Sequence, residues 1–449
     1  MSNILMLCHD QHLDRRVVAQ AQSLIHAGHR VTLLALSFHG DSQEEITPEG
    51  IKLVRIGLNH IVPENPTYTL YMERQWAFNR ALNAVANRYQ AASRVGNRCF
   101  RLASRVNWFW YRGMLWVRYR NRSLNDPLPF RSAFVKFGAA HPADLIQVHD
   151  LPALEAGVEL AARWNVPLVY DAHELYPEQR CFSDVQKRIC REKETQLIGR
   201  AQVVFAVNTS IAEQMAERYG IPQPITLLNA LDPPEGFDPR VCYDLIRKKL
   251  NLSPNRRILL FQGGFAPHRN LEKLVQAMSS VRAADVDLVM LGFGDFGAKL
   301  RSRAERLGLL ARRVHFLPAV PQMELLQHSA SADMGIIPYP HVDLNSYFCT
   351  PNKLFEFIQA GLPILANDSP ELRRFVADEG FGVVAPLHSA GQIAKAIDRA
   401  FSPPDMGNWK RRLHERRAAF AWAGQEKIYL NALAPFLKVM EPPHSMVEE

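Results

Sequence analysis

Lys353 and Glu356 stand three residues apart in YFCTPNKLFEFIQAGLPILANDSPEL, so a helix starting there carries both on one face of its first turn. A cation, a carboxylate and the free N–H groups of a helix start suit an anionic, hydroxyl-bearing ligand such as a nucleotide sugar. A solvated ion pair on an amphipathic helix fits the same two residues as well. A second set is Gly263-Gly264, after the apolar run Ile258–Gln262, with Arg269 at the entry to the next helix. Glycine permits close backbone approach, and N–H groups beside an arginine make a phosphate cradle. A tight turn with a solvated arginine explains that set nearly as well. Third, His149-Asp150 and Asp171-His173-Glu174 each close an apolar strand, where a doubly wound sheet keeps its ligands.

The surrounding pattern supplies the elements to position these groups. Pro351 is allowed in a first helical turn, and Leu354, Phe355 and Ile358 form a core-facing stripe. Gly361 can end that helix in a left-handed conformation, with Pro363 blocking its continuation before the buried strand Leu362–Ala366. At the other end of the chain, strand Ile4–Cys8, loop His9–Asp14, a helix closing at Gly28 and strand Val31–Ala35 open a parallel α/β sheet. No GxGxxG follows the first strand, so a dinucleotide fingerprint is absent there. Strands are expected at Ile51–Ile56, Ala143–Val148, Val166–Tyr170, Val203–Val207 and Ile225–Leu228, with Ser210 as a helix N-cap. The turn-rich Asn229–Asp238 reads as a linker. The rhythm then restarts with Ile258–Gln262, Asp287–Leu291 leading into Gly292-Phe293-Gly294, Val314–Leu317, Ala332–Pro338 and Phe381–Val384.

The chain has 449 residues, more than one ordinary core organises, and its 47% hydrophobic and 22% charged content is that of a globular protein. A net charge of +8 points to an anionic partner. Six scattered cysteines without a CxxC pair argue against a disulfide framework or a zinc site and for a reducing cytoplasm. Ile4–Cys8 is too short for a signal-peptide core, and no uninterrupted apolar run is long enough to span a bilayer.

Residues 67–122 break the α/β rhythm. Arg74, Arg80, Arg88, Arg94, Arg98, Arg101, Arg105, Arg112, Arg118, Arg120 and Arg122 face one acid, Glu73, around the aromatic run Trp108–Tyr111 with Trp116 and Tyr119. Tryptophan and tyrosine favour the headgroup layer, and each arginine near an anionic surface contributes about 1 kcal/mol. The functional reading is an interfacial helix pair on the cytoplasmic leaflet; the alternative is an insertion whose aromatics pack on the first domain. The segment carries no nucleic-acid motif, and no nucleic-acid partner is expected.

PNKLFEFIQAGLPILA resembles the P-N-K-x-x-E-[YF]-x-A-x-G-x-P segment of family 4 glycosyltransferases, with Gln359 in place of the usual alanine. Asp14, Arg16, Leu24, Gly28, His29 and Val31 are similar to that family's opening pattern, and the clusters at His149-Asp150 and Asp171–Glu174 to its N-domain motifs. Gly263, Gly264 and Arg269 resemble its phosphate segment, Gly292 and Gly294 its G-x-G loop, and Phe420-Ala421-Trp422 its closing F-[ST]-W. Two departures stand out. Gly264 replaces a usual arginine, and Phe348 replaces the earlier of two glutamates separated by seven residues.

The resemblance implies a GT-B fold: two Rossmann-like, doubly wound parallel-sheet α/β domains facing each other across a cleft, with a basic helical insertion in the first. The expected bounds are 1–230 (insertion 67–122), 231–417, a helix 418–440 crossing back, and a tail 441–449. It also implies a retaining transferase that moves a sugar from a nucleoside diphosphate to an acceptor hydroxyl, on a glycan or lipid-linked saccharide in cell-surface assembly. The chain is expected to stay on the cytoplasmic side, peripheral to the membrane through 67–122. His149, Arg269, Lys353 and Glu356 are the expected catalytic group, Glu356 holding the ribose and His149 lying between the domains beside donor and acceptor. Gly263, Gly264, Gly292, Gly294 and Asn352 join Arg269, Lys353 and Glu356 around the donor. Asp14, Arg16, Asp150, Asp171, His173 and Glu174 are expected on the acceptor or inter-domain side. No metal or cofactor is expected, since cationic side chains can carry the diphosphate charge. Rival readings are an epimerase or phosphorylase of the same fold, and a non-catalytic subunit of an assembly complex.

Overall fold

A strand buried on both faces must be apolar on both, and the first strand, β1 (Asn3–Cys8), shows how this chain meets that demand. Leu5 and Leu7 enter one core, while Ile4, Met6 and Cys8 enter the core on the opposite face. The computed structural model describes residues 1–37, 41–61, 74, 77, 102, 104–113, 127–402 and 405–438. Apart from 74, 77, 102 and 104–113, the segment 67–122 lies outside them, as does the tail 441–449.

Among the described residues the first sheet runs β3-β4-β2-β1-β5-β6-β7-β8. Its further strands are β2 (Arg30–Leu36), β3 (Gln43–Ile46), β4 (Lys52–Ile56), β5 (Leu145–His149), β6 (Leu168–Ala172), β7 (Val203–Ala206) and β8 (Ile225–Thr226). Every neighbouring pair is parallel except β3 with β4, an antiparallel edge that the apolar pattern does not announce because all four β3 residues are exposed. The second sheet runs β11-β10-β9-β12-β13-β14 and is parallel throughout. Its strands are β9 (Arg257–Gln262), β10 (Val286–Gly292), β11 (Val314–Pro318), β12 (Met334–Ile337), β13 (Ile364–Asn367) and β14 (Gly382–Ala385). Strand order reverses at β1/β5 in the first sheet and at β9/β12 in the second, and the crevices at those reversals are where such sheets bind ligands.

Two local expectations are corrected. Asn208, not Ser210, caps the Thr209–Tyr219 helix: its side chain accepts from the N–H of Ile211. Ser210 already lies in the first turn, and its N–H and hydroxyl both donate to Glu371 of the second domain. Pro351 is likewise the extended residue before the Asn352–Gln359 helix rather than part of its first turn.

The chain returns to its beginning. The Trp422–Leu433 helix places Trp422, Tyr429 and Leu433 in the same core as Val17, Ala21 and Leu24, and the Trp422 indole donates to Ser23 Oγ at 3.0 Å. Among the described residues no helix is long and apolar enough to cross a membrane.

Gly335 in β12 lets the helix bearing Lys353 lie directly on the second sheet. A Cβ there would meet the Phe357 ring at 2.5 Å. Gly335→Val should therefore cost about 1–3 kcal/mol by overpacking, read as a lower urea midpoint with an unchanged m-value.

Candidate active site

The strand ends set the first half of the site. Cys8, His149 and Asp171 are in register across β1, β5 and β6, so the carboxyl ends of the three strands stand side by side. Asp171 is fully buried and accepts from Arg16 Nε and Nη2, from Gln20 Nε2 at 2.7 Å and from His173 Nε2 at 3.2 Å. Burial alone would raise its pKa, but the Arg16 and His173 charges hold the carboxyl well below its ordinary range. Burial alone would also lower His173; Asp171 and Asp150 outweigh it and raise the imidazolium pKa to about 9. His149 is instead pushed down by burial and is neutral, with its Nδ1 at 3.1 Å from His173 Nε2.

His149 is the more enclosed of the two rings. Its side chain is 1% exposed and lies behind His173, which is 14% exposed. Arg16 and Asp171, with no exposed surface, support the pair from below. Asp150 sits at φ 59°, outside the usual range for a side-chain-bearing residue, and its Oδ1 accepts from the N–H of His173 at 2.8 Å. Burial raises its carboxyl pKa well above the ordinary value. Glu174, also raised by burial, accepts from Asn345 Nδ2 and Gln179 Nε2, both at 2.6 Å.

The second half lies where β9 and β12 separate. Lys353 is 5% exposed; its Nζ donates to Tyr339 Oη at 2.5 Å and sits 4.0 Å from the Phe261 ring centre. Burial, then Arg269, pushes its ammonium well below its ordinary pKa. Arg269 lies over the other side of the site, 5.3 Å from the Tyr339 ring centre, and donates to Gly264 O at 2.9 Å. Gly263 and Gly264 open onto both cations: a Cβ on Gly263 would be 3.6 Å from Lys353 Nζ, and one on Gly264 3.3 Å from Arg269 Nη1. Gly292 and Gly294 are one layer back. A Cβ on either would strike the backbone of Gly263 or Phe265, so they seat the cradle loop.

Glu356 is held from two directions. Gln262 Nε2, at the end of β9, donates to Oε2 at 2.5 Å, and Arg15 Nη1, from the first domain, donates to Oε1 at 2.8 Å. A cavity of about 460 Å³ between the domains is lined by Asp10, His12, Asp14, Arg15, Asn352 and Glu356, among others. Asp14 caps the first helix and, despite burial, is held low by His173 and the Arg16 N–H. The loop before the Lys353 helix is clasped by the first domain: Asn345 Oδ1 accepts from the Leu175 N–H, Asp343 Oδ2 from the Arg180 N–H, and Phe348 O from Asn208 Nδ2. Phe348 itself packs on the first domain's core.

The sequence motifs thus find their places, and further residues enter unannounced: Arg15, Gln20, Phe261, Gln262, Tyr339 and Asn345. Arg15 lay between the two selected residues Asp14 and Arg16, and Gln262 ended the strand before the glycine pair, so adjacency was the available signal. Among the described residues one trio could converge on an ion, His149, Asp171 and His173, whose donor atoms lie within 4.8 Å of one another. Here those atoms bond each other, and Asp171 is further taken by Arg16 and Gln20.

Because the His173 pKa is raised in the folded state, its stabilisation is complete below its ordinary value of 6.5 and is lost as pH rises through about 9. The urea midpoint should fall between neutral pH and about pH 10, and His173→Gln should flatten that fall.

Comparison with known proteins bears on the family and the fold. The family described as "Glycosyl transferases group 1" matches residues 256–402, and "Glycosyl transferase 4-like domain" matches residues 90–229. A D-inositol 3-phosphate glycosyltransferase of Nocardia farcinica is 27% identical over 297 residues, 62% of this chain and 64% of that protein. The alignment therefore spans just under two thirds of that relative. A second, from Geodermatophilus obscurus, is 25% identical over 319 residues, 65% of this chain and 67% of that protein. Among solved structures, sucrose-phosphate synthase from Thermosynechococcus elongatus superposes with TM-score 0.66 at 18% identity, covering 97% of this chain and 100% of that one. Anabaena HepE in complex with UDP and glucose superposes with TM-score 0.64 at 14% identity, covering 97% and 100%. With a glycosyltransferase domain matched in each half and the GT-B architecture of these neighbours, the chain belongs to the family 4-like glycosyltransferases.

Proposed function

We propose that this protein is a retaining glycosyltransferase that moves a sugar from a nucleoside diphosphate to an acceptor hydroxyl, in the assembly of a cell-surface polysaccharide or glycolipid. The observation that carries the reading is the convergence of Arg269 and Lys353 over Gly263-Gly264, with Glu356 one helical turn along. Two cations and open backbone suit a diphosphate, and the carboxylate suits the adjacent ribose hydroxyls. In this reading Arg269, Lys353 and the helix start stabilise the charge on the departing diphosphate. That group takes the acceptor's proton on the face it leaves, and the anomeric configuration is kept. His173, protonated and at the cleft edge, orients the donor and acceptor with His149 behind it. The cations serve in place of a metal.

Docking of the enzyme on the cytoplasmic leaflet is supported by the helix at 104–113. Leu102, Val106 and Phe109, at successive turns, are 66%, 60% and 73% exposed, with Arg105 and Arg112 exposed beside them and Asn107 and Tyr111 buried on the opposite side. An apolar stripe flanked by arginines suits an anionic bilayer surface and an acceptor presented there.

Saturating nucleotide, at about 100 times its dissociation constant, should add roughly 2.7 kcal/mol of stability. One nucleoside diphosphate among UDP, GDP, ADP and TDP should raise the melting temperature, and Glu356→Ala should abolish the shift; UDP is the first to try, since HepE holds it. No shift from any of them would overturn the donor site. Serine at Leu102, Val106 and Phe109 together should weaken binding to anionic vesicles by about tenfold or more, and unchanged co-sedimentation would refute membrane docking by this helix.

A further inference from the structure

Arg15 joins the first domain, the linker and the Lys353 helix at the cavity. Its Nη1 donates to Glu356 Oε1 at 2.8 Å, and its Nη2 to Asn229 O at 2.8 Å and Asn352 O at 3.1 Å. Its Nε donates to Asn229 Oδ1 at 3.2 Å, and Asn229 Nδ2 in turn donates to Asn352 Oδ1 at 2.8 Å. Both partners of the ion pair are largely shielded from water: the Arg15 side chain is 19% exposed and that of Glu356 11%. Such a pair is screened less than one on the surface.

The position matters because Glu356 has two oxygens and both are in use. Gln262 holds Oε2 from within the second domain, and its own Oε1 accepts from Ser329 Oγ at 2.7 Å, so that contact belongs to the scaffold. Arg15 and Glu356 both line the cavity, and Oε1 is the oxygen that Arg15 covers. A ligand whose hydroxyls reach Glu356 from the cavity meets the guanidinium already on Oε1 and competes with it there. A ligand that stops at Arg269 and Lys353 need not, since Arg15 has no hydrogen bond to either cation or to the glycine pair.

We propose that Arg15 is an internal occupant of the hydroxyl-recognition end of the donor site: in the empty protein it fills the place of the nucleotide's hydroxyls and clasps the two domains, and donor binding displaces it. The proposal rests on the donor-site reading above and adds a residue which sets affinity without touching the diphosphate. The clasp lowers the apparent affinity for a nucleoside diphosphate by the fraction of molecules in which it is open, so a clasp closed in about nine of ten molecules weakens binding roughly tenfold. It leaves bare pyrophosphate unaffected. Displacement also removes the Arg15 bonds to Asn352 O and Glu356, while the Asn229 bond to Asn352 remains.

The test compares wild type with Arg15→Gln by calorimetric titration of UDP and GDP and, separately, of pyrophosphate. Hydrogen exchange over residues 352–356 of the free proteins is measured alongside. The expected result is tighter nucleotide binding by roughly three- to thirty-fold in Arg15→Gln, unchanged pyrophosphate binding, and faster exchange at the helix start. Weaker nucleotide binding would overturn the proposal by making Arg15 a direct ligand contact. Weaker pyrophosphate binding would overturn it by placing Arg15 in the phosphate site. Unchanged nucleotide affinity would reduce the ion pair to a bystander. If neither protein binds a nucleotide while exchange still rises in the variant, the donor assignment itself is wrong, and the displacement falls with it.

Discussion

Asp171 is a carboxylate removed entirely from water, and the first half of the site is arranged around keeping it charged. A buried charge without compensation is worth several kcal/mol against folding, and breaking a buried pair costs about 3–5 kcal/mol. Arg16, Gln20 and His173 supply the compensation, from the first helix and from the loop after β6. The network extends further: Gln147 donates to Gln20, and Tyr429, from the closing helix, donates to Gln147 Oε1 at 2.6 Å. The imidazolium at the cleft edge is thus held by a chain of buried polar groups that ends on the last helix of the fold. Each member is satisfied by the next, which is the condition under which a polar network gives one geometry rather than several.

The second half uses a different economy. Lys353 is enclosed by aromatic rings and a neighbouring guanidinium, with Glu356 one turn away. Burial, then Arg269, disfavours the charged form of Lys353, and the diphosphate of the proposed donor would relieve that state. The two halves differ in this sense: the buried groups of the first satisfy one another, and those of the second are the ones the proposed function assigns to a ligand. Closure by Asn345, Asp343 and Asn208 brings them to the same crevice.

How much of this was legible follows from which interactions are local. The strands, the left-handed Gly361 at φ 66° and the stripe of the Lys353 helix depend on neighbours within a few residues, and the apolar runs marked them. Lys353, Glu356, Arg269 and the glycine pair were legible as residue types at the right spacing. What spacing could not tell was which of His149 and His173 faces the cleft. That depends on β5 and β6 lying in register and on Asp171 drawing both rings inward. Nor could it separate Arg15 from Arg16. Adjacent residues at a helix start point in different directions, so one is buried under β6 and the other crosses to the second domain. Tyr339, Gln262 and Asn345 reach the site from separate elements, and nothing in their own surroundings distinguishes them from ordinary polar residues.

The closing helix makes the first domain discontinuous along the chain, and that has a consequence for how it is made. Trp422, Tyr429 and Leu433 cover a face that also includes Val17, Leu24, Phe205 and Leu227. Roughly 200 residues separate Thr226, where the first sheet ends, from Trp422. At about 5–20 residues per second these take roughly 10–40 s to synthesise. For that interval on the ribosome the first domain has its sheet but not its lid, and an apolar face waits for residues not yet added. The second domain, whose strands are contiguous from Arg257 to Ala385, can close its core first. The order of completion is therefore the reverse of the order of synthesis, and the nascent first domain is the part of this protein that a chaperone would need to shield.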